Sequence, residues 1–247
     1  MARFLLVLLP ALALTLACPN AIAAGFNLSW NDCGSHGASL ETFACSTNAG
    51  YHDLIVSVVV SNDMPQAVGI EAVVFLSVGQ GEVLPDWWFL APSQCRAGAI
   101  SLVTDVAADP TTCPSVFGSN QAFGGVAWDS QYLGSPDLAR LRFIAAIPDP
   151  GVAISAGIEY TVGRLRISNA GTTTCGGCSM PACIYVSEVR VYQPAGVGDA
   201  FLHGPASQAD VGWQCPTTLT TGGCFINPGC ATSTTHPTWG SIKSLYR

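Results

Sequence analysis

Two stretches, Asp53-Leu-Ile-Val-Ser-Val-Val-Val-Ser61 and Val68-Gly-Ile-Glu-Ala-Val-Val-Phe-Leu76, decide the fold class. Successive side chains of a β-strand point to opposite faces, so a strand reads with period two. In the first stretch Leu54, Val56, Val58 and Val60 share one face, and Ile55, Ser57, Val59 and Ser61 take the other. In the second, Val68, Ile70, Ala72, Val74 and Leu76 form an apolar face with Gly69, Glu71 and Ser77 opposite. The β-branched content of both runs suits a pleated, half-buried surface.

The same pattern extends outward along the chain. Arg140–Ala146 puts Leu141, Phe143 and Ala145 inward with Arg140 and Arg142 outward. Tyr160–Asn169 sets Leu165 and Ile167 against Arg164 and Arg166, and Cys183–Gln193 is a further strand. Phe26–Asn31, Gly98–Val106 and Phe123–Asp129 complete a set of about eight. Turn chemistry separates them at Asn62–Pro65, Gly134–Asp137, Pro148–Gly151 and Asn169–Gly171. No amphipathic helix intervenes. Short strands joined by turns predict an all-β, antiparallel β-sandwich of cohesin or jelly-roll type over residues 25–195. Beyond Gln193 the composition shifts to Gly, Pro, Thr and Cys. Residues 196–247 are therefore expected to form an irregular disulfide-rich tail, ending in a short helix over Thr238–Tyr246.

The beginning of the chain sets the compartment. Arg3 is followed by an apolar run from Phe4 to Ala17 and by small residues at Ala21, Ala23 and Ala24. This three-part pattern predicts a signal peptide over residues 1–24, and thus a secreted, extracellular or periplasmic protein. The alternative is a lipid anchor on Cys18 within Leu16-Ala17-Cys18. No later segment has the roughly 20 uninterrupted apolar residues of a bilayer-spanning helix, so no transmembrane segment is expected after signal removal.

Losing Arg3 leaves eight of the nine basic side chains against sixteen acidic ones, and the only lysine is Lys243. Phosphate backbones demand a basic footprint, so this balance excludes nucleic acid as a partner. It also disfavours anionic lipid.

Ten cysteines follow the signal: Cys33, Cys45, Cys95, Cys113, Cys175, Cys178, Cys183, Cys215, Cys224 and Cys230. An even number in an exported chain reads as a disulfide framework. Proximity suggests Cys33–Cys45, Cys95–Cys113 and Cys215–Cys224, with Cys175, Cys178, Cys183 and Cys230 forming two more bridges. The rival for those four is a zinc site, because Cys175-Gly-Gly-Cys178 has ligand spacing.

Candidate binding residues are few. Leu84-Pro-Asp-Trp-Trp-Phe-Leu90 offers Trp87 and Trp88 as a platform for sugar rings, or as a pair capping the core. Asp32, Asp86, Asp129 and Asp137 lie in expected loops and could hold a structural calcium, although no calcium-loop spacing supports it. His36, His52, His203 and His236 make no ligand or catalytic pattern. Ser35 does not sit in a nucleophile elbow. No catalytic residue and no cofactor can be named. The closing string Pro237–Arg247 is either a docked helix or a tag for export or surface attachment.

The runs Ile55-Val-Ser-Val-Val-Val-Ser, Val68-Gly-Ile-Glu-Ala-Val-Val-Phe and Ala156-Gly-Ile-Glu-Tyr-Thr-Val-Gly-Arg-Leu resemble bacterial cohesin-like and carbohydrate-binding sandwich modules. The chain as a whole, from Trp-Asn-Asp-Cys33 to its final Trp-Gly-Ser-Ile-Lys-Ser-Leu-Tyr-Arg, is similar to uncharacterised secreted bacterial β-sandwich proteins. These resemblances imply a non-catalytic binding or structural protein, whose partner is a protein or glycan at the cell surface. A carbohydrate-binding module using Trp87 or Trp88 is one alternative, and a secreted hydrolase is another.

Overall fold

A computed structural model describes residues 23–79, 81–105 and 110–215. Most of the expected signal, Cys18, Cys224, Cys230, His236 and the expected helix over Thr238–Tyr246 lie outside the described residues.

Among the described residues the chain is all-β, with no α-helix. All eight expected strands are present: β1 (Gly25–Trp30), β3 (Tyr51–Val59), β5 (Gly69–Ser77), β6 (Ile100–Val103), β7 (Phe123–Ser130), β8 (Leu138–Ala146), β10 (Glu159–Ser168) and β11 (Ala182–Tyr192). Five short ones join them: β2 (Leu40–Glu41), β4 (Met64–Ala67), β9 (Val152–Ile154), β12 (Ala200–Leu202) and β13 (Asp210–Trp213). They form a smaller sheet of order β1-β3-β10-β6 and a larger one of order β2-β13-β11-β5-β8-β7, with β12 beside β11. β4 and β9 make a separate ribbon.

The two large sheets share one core. Leu28, Leu54, Val56, Val58, Leu165 and Ile167 of the smaller sheet meet Ile70, Val74, Leu76, Leu141, Phe143, Val186 and Val191 of the larger. Fully burying such a side chain is worth about 1.5–3 kcal/mol, which is why the period-two pattern predicted the inward faces correctly. Gly163 sits where β10 shifts register against β3. A Cβ there would lie 2.6 Å from the Phe143 ring, so only glycine lets that ring pack flat on the opposite sheet.

The smaller sheet is covered on its other side too. Ile55 packs against Cys33 and Cys113, and Ser57 Oγ donates to Glu159 Oε1 at 2.5 Å. This cover overturns the outward placement of Arg164, which is 2% exposed. Arg164 Nη1 lies 3.4 Å from Asp53 Oδ2. Arg166 holds the same carboxylate with two hydrogen bonds, Nε to Oδ1 and Nη2 to Oδ2, each 2.8 Å. A carboxylate clamped between two guanidiniums can be buried because its charge and lone pairs are matched.

Within the segment expected to be an irregular tail, residues 200–202 and 210–213 are strands of the larger sheet. β12 pairs with β11 from Val189 to Val191, and β13 pairs with β11 from Ala182 to Tyr185. Each is too short to show a period, so composition concealed them.

The cysteines are joined across the fold, not to their sequence neighbours. The bridges are Cys33–Cys113, Cys45–Cys178 and Cys95–Cys175. The expected Cys33–Cys45 and Cys95–Cys113 pairs are therefore wrong, and Cys175-Gly-Gly-Cys178 is a pair of staples, not a zinc knuckle. Strand pairing decided this: turns brought together by the two sheets lie 80 to 133 residues apart in sequence. Cys183 and Cys215 are disulfide-bonded as well; the Cys224 of the expected Cys215–Cys224 bridge lies outside the described residues. Disulfides of this number belong to an oxidising compartment. Among the described residues no helix is long and apolar enough to cross a membrane.

Non-reducing peptide mapping is expected to recover these three bridges. Replacing Cys33 and Cys113 together by serine should lower stability by about 2–5 kcal/mol in a denaturant titration, because a long loop is released in the unfolded chain.

Candidate functional site

Trp87 and Trp88 occupy a short 3₁₀ turn over Asp86–Trp88, not an extended segment, so both side chains turn inward. Each is 0% exposed. A sugar ring cannot reach them, and the platform expected at this position is excluded. They belong to an aromatic cluster closing one end of the sandwich. Trp87 stacks on Trp213 at 4.7 Å, Trp88 meets Trp87 edge-on at 4.6 Å, and Trp30 lies 5.9 Å from Trp213.

The indole N–H groups are satisfied except one. Trp30 donates to the Gly212 carbonyl, Trp213 to the Cys178 carbonyl and Trp87 to Thr172 Oγ1. Trp88 Nε1 has no partner. It borders an apolar cavity of about 10 Å³, which lacks the polar partners that a water requires. Arg96 lies 3.6 Å over the Trp87 ring and donates to the carbonyls of Ala170, Trp87 and Ser168. Burial lowers its pKa to about 10, so it stays charged at neutral pH.

The other sequence candidates are dispersed. Asp32 accepts from the backbone N–H groups of Cys33 and Thr112 and from Thr112 Oγ1. Asp129 pairs with Arg140, Asp137 accepts from Ser135, and Asp86 sits in the turn before the tryptophans. Among the described residues no three His, Cys, Asp or Glu side chains converge as a metal site would need. His36 lies in a turn, His203 stacks on Phe201, and His52 Nδ1 faces Glu41 at 3.2 Å between Phe43 and Trp213. A groove of about 240 Å³ beside the Cys45–Cys178 bridge is lined by Thr172–Ser179 and carries no titratable side chain.

What the fold assembles instead is the outer face of the larger sheet. Strand register sets Asp129, Arg140, Phe75, Tyr185 and Asp210 in one transverse row across β7, β8, β5, β11 and β13. Four inter-strand steps of about 4.8 Å make that row about 19 Å long. Phe75 and Tyr185 stack at 5.4 Å with their planes 26° apart, and Tyr132 joins them 5.6 Å from Phe75. Arg140 lies 4.2 Å over the Tyr132 ring and reaches Asp129 at 3.5 Å.

A second row, four residues further along β7, β8 and β5 and five along the bulged β11, carries Gly125, Ile144, Glu71, Arg190 and Phe201. Here Arg190 lies over both Tyr192 and Phe201 and is held by Asp199. Tyr192 Oη donates to Glu71, which Arg142 also grips. The Tyr192 hydrogen bond, then Arg142, holds the Glu71 carboxyl below its ordinary range, and raises the Tyr192 hydroxyl correspondingly.

Asp210 differs from these paired groups. Burial raises its pKa, and among the described residues no hydrogen bond or ion pair offsets the desolvation. Tyr185 beside it is also raised, by burial and then by the charge of Asp137. The sequence held a partial signal for this face: Glu71, Arg140 and Arg142 were read as outward, but period two within one strand does not say which strands lie side by side.

The chain matches no family model, and no curated protein matches it. The fold and site thus define a class only: a disulfide-bonded β-sandwich with one sealed sheet and one sheet whose outer face is aromatic and charged.

Trp87→Phe is expected to cost about 1 kcal/mol more than Trp88→Phe in urea denaturation, since only Trp87 donates a hydrogen bond. Equal losses would show that the Trp87–Thr172 bond contributes nothing.

Proposed function

We propose that the protein is an exported, non-catalytic binding protein that presents the outer face of its larger sheet to a glycan. The observation that carries this reading is the Asp210 carboxylate, partly desolvated and without a partner among the described residues, beside the stacked Phe75–Tyr185 pair. Flat aromatic faces take the apolar sides of sugar rings, while carboxylate acceptors and the Arg140 guanidinium satisfy ring hydroxyls. Uncompensated burial of a carboxyl costs stability and marks sites kept for binding. Both signs of charge along the row, two carboxylates and one guanidinium, suit a neutral ligand better than a polyanion or polycation.

Export is supported by the signal pattern of residues 1–24 and by the disulfides. The resemblance to cohesin-like and carbohydrate-binding sandwiches points to binding in place of catalysis, though by a different surface from the tryptophan pair. The hydrolase alternative gains no such support, because Asp137 and Asp210 flank Tyr185 on a sheet face and not in a cleft.

On a glycan array the protein should retain a defined subset of neutral oligosaccharides. Phe75→Ala, Tyr185→Ala and Asp210→Ala should each weaken that binding at least tenfold; retention unchanged in all three would refute the site.

Asp210→Asn should raise the melting temperature at pH 7 and leave it unchanged near pH 3. The sign follows from linkage: a carboxyl with a raised folded pKa favours folding while protonated and loses that contribution as pH climbs.

A further inference from the structure

Sheet edges expose unpaired backbone groups, and folded chains blunt them. Three of the four edges of this sandwich are blunted. β1 is covered by hydrogen bonds from its Phe26, Leu28 and Trp30 amides to Gly204, Gln208 and Ala38. The opposite edge of the smaller sheet is β6, only four residues long. On one side of the larger sheet lie β2 and β12, of two and three residues.

The remaining edge is β7. It is eight residues long, Phe-Gly-Gly-Val-Ala-Trp-Asp-Ser, and has neither proline nor lysine. Among the described residues it pairs only with β8. Phe123 is 66% exposed at its start, beside Ile144 at 47%.

We infer that β7 is a self-association edge, pairing antiparallel with β7 of a second copy of this chain about a two-fold axis. The strand is complementary to itself in one register, with Val126 on the axis. Phe123 then faces Asp129, Gly124 faces Trp128, and Gly125 faces Ala127. No like charges oppose, because Asp129 is already neutralised by Arg140 of its own chain.

Gly124 is the strongest single indication. It is exposed, and a Cβ there would lie 2.0 Å from the Ile144 carbonyl oxygen, so no side chain can fill the bare backbone. Bare backbone of this kind lets a second strand approach closely, and the residue facing it in the two-fold register, Trp128, is half-buried against its own core beside Trp88. An antiparallel strand pair is isologous, so the contact closes at two copies. Eight residues of edge bury less than the standard interface of about 1,600 Å², so the dimer is expected to be weak and concentration-dependent.

Pairing would continue the larger sheet across both copies and set two outer faces side by side. That last consequence rests on the proposed glycan face; the pairing itself does not.

Sedimentation equilibrium of the full chain at increasing concentration is expected to show a monomer–dimer transition. Gly125→Lys combined with Ala127→Lys puts like charges directly opposite each other and should weaken dimerisation at least tenfold, with an unchanged melting temperature as the folding control. Val126→Cys, on the axis, should crosslink to itself under mild oxidation. A wild-type chain that stays monomeric throughout, or a dimer that survives the lysine pair, would overturn the inference. Glycan binding by a monomeric chain would leave the proposed ligand face standing.

Discussion

Everything at one end of this molecule is organised by the burial of four indole rings, three of whose N–H groups find acceptors. Trp30 comes from β1, Trp213 from β13, and Trp87 and Trp88 from the turn before β6. Their mutual stacking draws three distant segments together. Their donors fix which loops can approach, because Thr172 and Cys178 must supply the acceptors. Arg96 closes the arrangement by covering Trp87 and tying three carbonyls. The Cys95–Cys175 and Cys45–Cys178 bridges then lock the same loops covalently.

That closure divides the protein into a sealed half and an exposed half. The smaller sheet is packed on both faces, its charges held by the Asp53–Arg164–Arg166 network and by the hydrogen bonds of Asn27 and Ser57 to Glu159, and its free edge covered by residues 204–208. Among the described residues nothing of this kind covers the outer face of the larger sheet. Its aromatic rings and charges are spaced by the strand ladder itself, so a rigid scaffold positions them. A site built on strands keeps its spacing without help from mobile loops. It follows that binding, if it uses this face, needs little rearrangement of the protein.

How much could be read beforehand differs from element to element. β3, β5, β8 and β10 were legible because each is long enough to repeat its period several times. β12 and β13 were not, since three or four residues carry no period and their Gly-rich surroundings resemble loop. Arg164 was misread because alternation locates a face but not whether another layer covers it. Of the site, Glu71, Arg140 and Arg142 were visible as outward residues, whereas the Phe75–Tyr185 stack and its link to Asp210 were not. Those contacts join residues 75, 185 and 210, and no local pattern relates them.

By itself, then, the sequence determined the all-β class, the inward faces of the long strands, and an oxidising destination for the cysteines. All three follow from local chemistry: side-chain periodicity, turn residues and the reactivity of thiols. Only the tertiary structure decided which cysteines meet, that Trp87 and Trp88 are core, and that aromatic and charged side chains line up across the outer face of the larger sheet. Those are matters of which strand lies beside which, and strand order is set by the packing of the whole chain around one core.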